Sequence, residues 1–267
     1  MTTFIAESPR RILGASLAGA VVGILGGLIG LGGAEFRLPI LIAMFGFAAL
    51  HAVILNKAMS LVVVTSALFF RMGTVPAQTI ATNWPIMLNL LAGSLAGAWF
   101  GAGWATRLSS RRLYQVISVM LVAIAGVLVF AHSVHSDGAV LHGPAQVTAG
   151  LLAGFIIGVV AAVMGVAGGE LLIPTLILLF GADIKLAGSL SVAISLPTMI
   201  VGFIRFSRDS AFEVLRHNSR FVLAMALGSI IGAAIGGQLL GVVPNEVLLP
   251  VLAAILVISA VKVWRHK

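Results

Sequence analysis

The second half of this 267-residue chain repeats the first at a constant offset of 135 positions, the distance from Gly19 to Gly154. Gly19, Gly23, Gly30, Gly33, Glu35, Pro39, Phe45 and Gly46 recur as Gly154, Gly158, Gly165, Gly168, Glu170, Pro174, Phe180 and Gly181. Further along, Ser60 and Leu61 recur as Ser195 and Leu196. Gly93, Ser94, Gly97 and Gly101 then recur as Gly228, Ser229, Gly232 and Gly236 without a gap. Apolar segments follow the same register, at 12–31, 36–50, 53–71, 84–105 and 113–131, then at 145–165, 171–182, 186–204, 221–241 and 247–263. The chain is 60% hydrophobic and only 9% charged, with a mean hydropathy of +1.15. A membrane-spanning helix needs about 20 apolar residues. The sequence therefore predicts an all-α integral membrane protein of about ten transmembrane segments. Its repeats fall at 1–135 and 136–267 of one membrane domain, with no room for a soluble domain. An odd number of crossings per repeat inverts the second copy, and inverted repeats place a binding site at their interface near mid-membrane.

The distribution of basic residues supports ten crossings. The N-terminus, the C-terminus and the turns near 51–57, 107–112 and 205–220 carry every Lys and Arg except Arg37, Arg71 and Lys185. With all ten segments crossing, these basic regions share one side, which the positive-inside rule makes cytoplasmic. The net charge of +8 is thus read as a topology signal rather than as a nucleic-acid footprint. The run after Arg10 and Arg11 is longer than a signal-peptide core and reads as a retained first span.

Two stretches interrupt the apolar pattern, GLGGAEFRLP at 30–39 and GVAGGELLIP at 165–174. Glycine admits backbone conformations closed to other residues, and proline removes a backbone donor. Gly32, Gly33 and Pro39, with Gly168, Gly169 and Pro174, are therefore expected to break their helices. Irregular backbone at membrane depth is tolerated only where protein or a water-lined cavity satisfies it, and an ionisable residue there marks a functional site by default. Glu35, Arg37 and Glu170 are such residues.

The two motifs, followed by LPILIAMFG and IPTLILLFG, resemble those of the TauE/SafE sulfite exporter family, also called the toluene-sulfonate uptake permeases. The resemblance covers both repeats. It implies a secondary transporter of small sulfur-containing organic or inorganic anions in a bacterial cytoplasmic (inner) membrane, with some members exporting and others importing.

A carboxylate at membrane depth is costly unless paired or hydrated, which makes Glu35 and Glu170 candidate proton carriers or a brace between the two breaks. A guanidinium can hold an oxyanion through two parallel donors, so Arg37 is the leading anion-binding candidate, unless it pairs with one of the glutamates. Asn56, Lys57 and Ser60 begin the third segment, and Ser191 and Ser195 the eighth. They can line an anion site or cap the backbone, and Lys57 can instead snorkel to the inner surface. The glycine series at 93, 97 and 101, with its repeat, follows the small-xxx-small spacing of close helix packing. Gly19 and Gly23, with Gly154 and Gly158, are expected to meet the broken helices. No cofactor or metal is expected: Cys is absent, and His132, His135 and His142 fit no standard ligand spacing. The expected partners are a small anionic substrate and the lipid bilayer, and small-residue faces would permit a homodimer. No nucleophile or metalloprotease motif points to an enzyme.

Overall fold

The computed structural model describes residues 8–29, 32–71, 82–130, 139–239 and 245–266. His132 and His135 lie outside them. The described residues form helices and no strands. The first repeat contains α1 (Pro9–Ile29), α2 (Ala34–Ala43), α3 (Ala49–Arg71), α4 (Trp84–Ala105) and α5 (Ser110–Phe130). The second contains α6 (Pro144–Met164), α7 (Gly169–Phe180), α8 (Ile184–Phe206), a 3-10 turn (Ser210–Glu213), a short α9 (Val214–His217), α10 (Ser219–Gln238) and α11 (Asn245–Trp264). Every helix of the first repeat has an image that starts 135 residues later: Pro9 and Pro144, Ala34 and Gly169, Ala49 and Ile184, Trp84 and Ser219, Ser110 and Asn245. The repeat legible in the residues is thus also a repeat of helix boundaries.

Among the described residues, seven helices are long and apolar enough to cross a membrane: α1, α3, α4, α5, α6, α8 and α10. α2 and α7 have 10 and 12 residues. At 1.5 Å per residue they extend about 15–18 Å, roughly half the hydrocarbon thickness. The expected segment at 36–50 is therefore shorter than read. Its helix ends at Ala43, and a turn through Gly46, with φ of +71°, delivers the chain to α3.

The two repeats interdigitate. The most extensive helix pairs are α1 with α10 and α4 with α6, which exchange under the 135-residue offset. α5 packs on its own image α11, and α3 on its image α8. Glycine makes the first two pairs possible. Cβ atoms at Gly93, Gly97 and Gly101 would run into the backbone of α6 at Leu151, Phe155 and Val159. Their images Gly228, Gly232 and Gly236 would run into α1 at Ser16, Ala20 and Ile24. Gly154 and Gly158 face α4, and Gly19 and Gly23 face α10, so these four glycines do not meet the short helices as expected. Small residues are needed on both sides of a close crossing, and each series finds its complement in the other repeat.

Candidate functional site

The interruptions at α2 and α7 are set by their glycines. Gly33 precedes α2 with φ of +70°, Gly168 precedes α7 with φ of +82°, and Gly32 has φ of +88°. In this left-handed region an added Cβ is strained. Gly165, with φ of +68°, ends α6, and a Cβ there would strike the carbonyl of Val53 on α3. Gly169 is not part of the break; it is the first residue of α7. Nor do the prolines break the helices, because Pro39 and Pro174 lie inside α2 and α7. Each stands four residues after a glutamate, so the donor it lacks is the one that would meet the carbonyl of Glu35 or Glu170. A first-turn carbonyl can be left without its helical partner while the helix continues.

Arg37 of α2 is fully buried, and neutral groups hold it. Its Nε donates to Asn56 Oδ1 at 2.8 Å, Nη2 to Ser60 Oγ at 2.7 Å, and Nη1 to Ser229 Oγ at 3.1 Å. Asn56 in turn donates through Nδ2 to the carbonyls of Ala34 and Met164, both at 3.0 Å. One amide thus ties the start of α2, the end of α6 and the guanidinium to α3. Lys57 is equally buried, and its ammonium donates to the carbonyls of Ala161 at 2.8 Å and Val166 at 3.5 Å, at the C-terminal end of α6. Negative potential at a helix C-terminus favours a cation there. Lys57 therefore does not snorkel to the surface.

Glu35 and Glu170 occupy the first turns of α2 and α7, are 0% and 3% exposed, and lie close enough to interact directly. None of their four carboxyl oxygens accepts a hydrogen bond from a protein donor among the described residues. Arg37 lies near Glu35 without forming an ion pair with either glutamate, so the expected alternative of a paired Arg37 is not what the structure contains. Two buried cations and two buried carboxyls thus surround the junction of the short helices.

A family model described as Sulfite exporter TauE/SafE matches residues 15–263. The chain belongs to the TauE/SafE family. Membership makes it a multi-pass membrane protein of a sulfite- and anion-exporting transport family. Neither the curated proteins nor the solved structures contain a match.

Within this TauE/SafE chain the repeat supplies an internal comparison. Asn56, Ser60 and Ser229 have Ser191, Ser195 and Ser94 as their images, but the image of Arg37 is Leu172. The serines of the second constellation turn elsewhere: Ser191 donates to Gly188 O at 2.9 Å within its own helix, and Ser94 pairs with Thr198 at 2.7 Å. Ser195 is buried in α8. The charged half of the site therefore gathers Arg37, Asn56, Ser60 and one serine of the second repeat, and it leaves Ser191 and Ser195 outside the guanidinium network. Ser229 was legible only as a member of a glycine stripe. Its signal was the exact match to Ser94 within an otherwise apolar run.

Proposed function

We propose that the protein is a proton-coupled secondary transporter of small sulfur oxyanions or sulfonates, working by alternating access in a bacterial inner membrane. Arg37 is the substrate-binding cation, with Asn56 and Ser60 beside it. The observation that carries the reading is the buried guanidinium whose bonded partners, Asn56, Ser60 and Ser229, are all neutral. A buried cation without a bonded counter-charge is costly. An oxyanion supplies that charge and fits the planar fork of an arginine.

Glu35 and Glu170 are the proton site. When both are ionised, they balance Arg37 and Lys57 and also repel each other. A proton on either carboxyl relieves the repulsion and leaves one net positive charge for an anion, which links proton and anion movement. The TauE/SafE membership supports the sulfur-anion class.

The reading includes five plus five inverted segments with both termini cytoplasmic. Five helices that recur in register in each repeat, the exchange of helix pairs between repeats and the one-sided basic residues support it. Binding of a ligand to the folded state alone raises its thermal stability. Purified protein is expected to be stabilised by sulfite, thiosulfate or a sulfonate, and Arg37→Ala to melt as a folded protein that no longer responds. A wild-type response in Arg37→Ala removes Arg37 from the site, and stabilisation by carboxylates alone overturns the substrate class.

A further inference from the structure

At the end of α8 two arginines share one indole. The guanidinium carbons of Arg205 and Arg208 lie 5.5 and 5.0 Å from the ring centroid of Trp99 on α4. Gly103, one turn further along α4, makes room for the first of them. A Cβ there would lie 3.1 Å from both Nε and Nη2 of Arg205. Among the described residues neither guanidinium forms a hydrogen bond or an ion pair; the indole is their common contact. Asp209 follows directly in sequence, but its carboxylate caps the turn by accepting from Ala211 N at 2.9 Å. Two like charges therefore meet one indole, and among the described residues no protein anion is bonded to either.

Trp99 and Phe100 are 42% and 56% exposed, so an apolar surface adjoins the two cations on the outer face of α4. Tryptophan prefers the membrane interface, and basic residues beside spanning helices there attract anionic headgroups. A phosphate diester accepts several guanidinium donors at once, while acyl chains require an apolar face beside it. The offset of 135 puts Ala234, Phe70 and Gly73 at the image positions of Trp99, Arg205 and Arg208, so the repeat does not reproduce this arrangement.

We propose that Arg205, Arg208 and Trp99 form a binding site for the phosphate of an anionic phospholipid, with its acyl chains along Trp99 and Phe100. The site is separate from the Arg37 network and does not depend on the identity of the transported anion.

The test uses the full chain in detergent, titrated with phosphatidylglycerol, phosphatidylcholine and inorganic phosphate, with bound lipid counted by native mass spectrometry. Phosphatidylglycerol is expected to remain bound and phosphatidylcholine to dissociate. The pair Arg205→Gln and Arg208→Gln should weaken phosphatidylglycerol by about tenfold or more. Arg111→Gln with Arg112→Gln, at the nearby start of α5, should leave binding unchanged. If the glutamine pair does not fold, Arg205→Lys with Arg208→Lys keeps the charge and removes the fork, and weaker binding is again expected. Undiminished phosphatidylglycerol binding in the folded variant, or an equal loss in the Arg111/Arg112 pair, overturns the site. Displacement of the lipid by equimolar inorganic phosphate overturns the lipid assignment in favour of a soluble anion.

Discussion

Replacing Gly97 by alanine tests the interdigitation of the repeats more directly than any change at the site. An added Cβ at this position would lie 2.9 Å from the carbonyl carbon of Phe155 and 3.0 Å from its Cα, with the carbonyl oxygen closer still. Ordinary contact begins near 3.4 Å, so to clear the carbonyl oxygen α4 and α6 must separate by about an ångström or more. A gap of that size forfeits about half of the dispersion energy between the surfaces it opens. Overpacking costs about 1–3 kcal/mol, and the obstacle here is backbone, which favours the upper end. Alanine recovers about 1 kcal/mol of helix propensity. The net loss is therefore about 2 kcal/mol, and for a chain of this size about 2–4 °C per kcal/mol lowers Tm by about 4–8 °C. Thermal unfolding in detergent measures it. Gly232→Ala, the repeat image, would place its Cβ 2.8 Å from the carbonyl carbon of Ala20 and should fall as far. Gly126→Ala on α5 meets nothing within 4 Å and should melt at or above wild type. A Gly97→Ala protein that melts with wild type, or a Gly126→Ala protein that falls equally, would refute the reasoning.

The carboxyl pair and the topology are open to equally direct measurements. Because a proton removes one buried negative charge, anion affinity of the wild type is expected to rise as pH falls. Glu35→Gln or Glu170→Gln fixes that charge and should flatten the profile while binding persists. An unchanged profile in both variants, read by anion-dependent melting at two pH values, ends the proton-carrier assignment. The absence of native cysteine permits single-cysteine labelling without background. Ser109→Cys and Ser210→Cys, at exposed turn positions, should resist an impermeant maleimide added to intact cells, whereas the exposed His142→Cys should react. Labelling of Ser109→Cys from outside would reverse the proposed orientation.

The candidate site was legible where chemistry alone singles out a residue. Arg37, Glu35, Glu170 and Lys57 stand out because charge in apolar sequence is expensive, and all four are buried at the junction of the short helices. Pairing was less legible. Residue types left Arg37 either free for an anion or paired with a glutamate, whereas its donors lead to Asn56 and Ser60 on α3 and Ser229 on α10. Ser229 lies 192 positions from Arg37, and no local pattern predicts such a contact. The fates of Pro39 and Pro174 also needed coordinates. Each removes one intrahelical donor, that to the carbonyl of Glu35 or Glu170, and the helix continues past it.

By itself the sequence determined the class, the repeat and the identity of the buried charges. Hydropathy, glycine spacing and the cost of ions in lipid act on individual residues and short windows, where they can be read directly. Only the tertiary structure decided which helix meets which. A stripe of small residues specifies that some helix approaches closely, whereas the choice of α10 for α1, and of α6 for α4, depends on complementary surfaces in the other repeat. That choice brings Ser229 to Arg37 and the end of α6 to Lys57, and so makes one asymmetric charged site from two nearly equivalent halves.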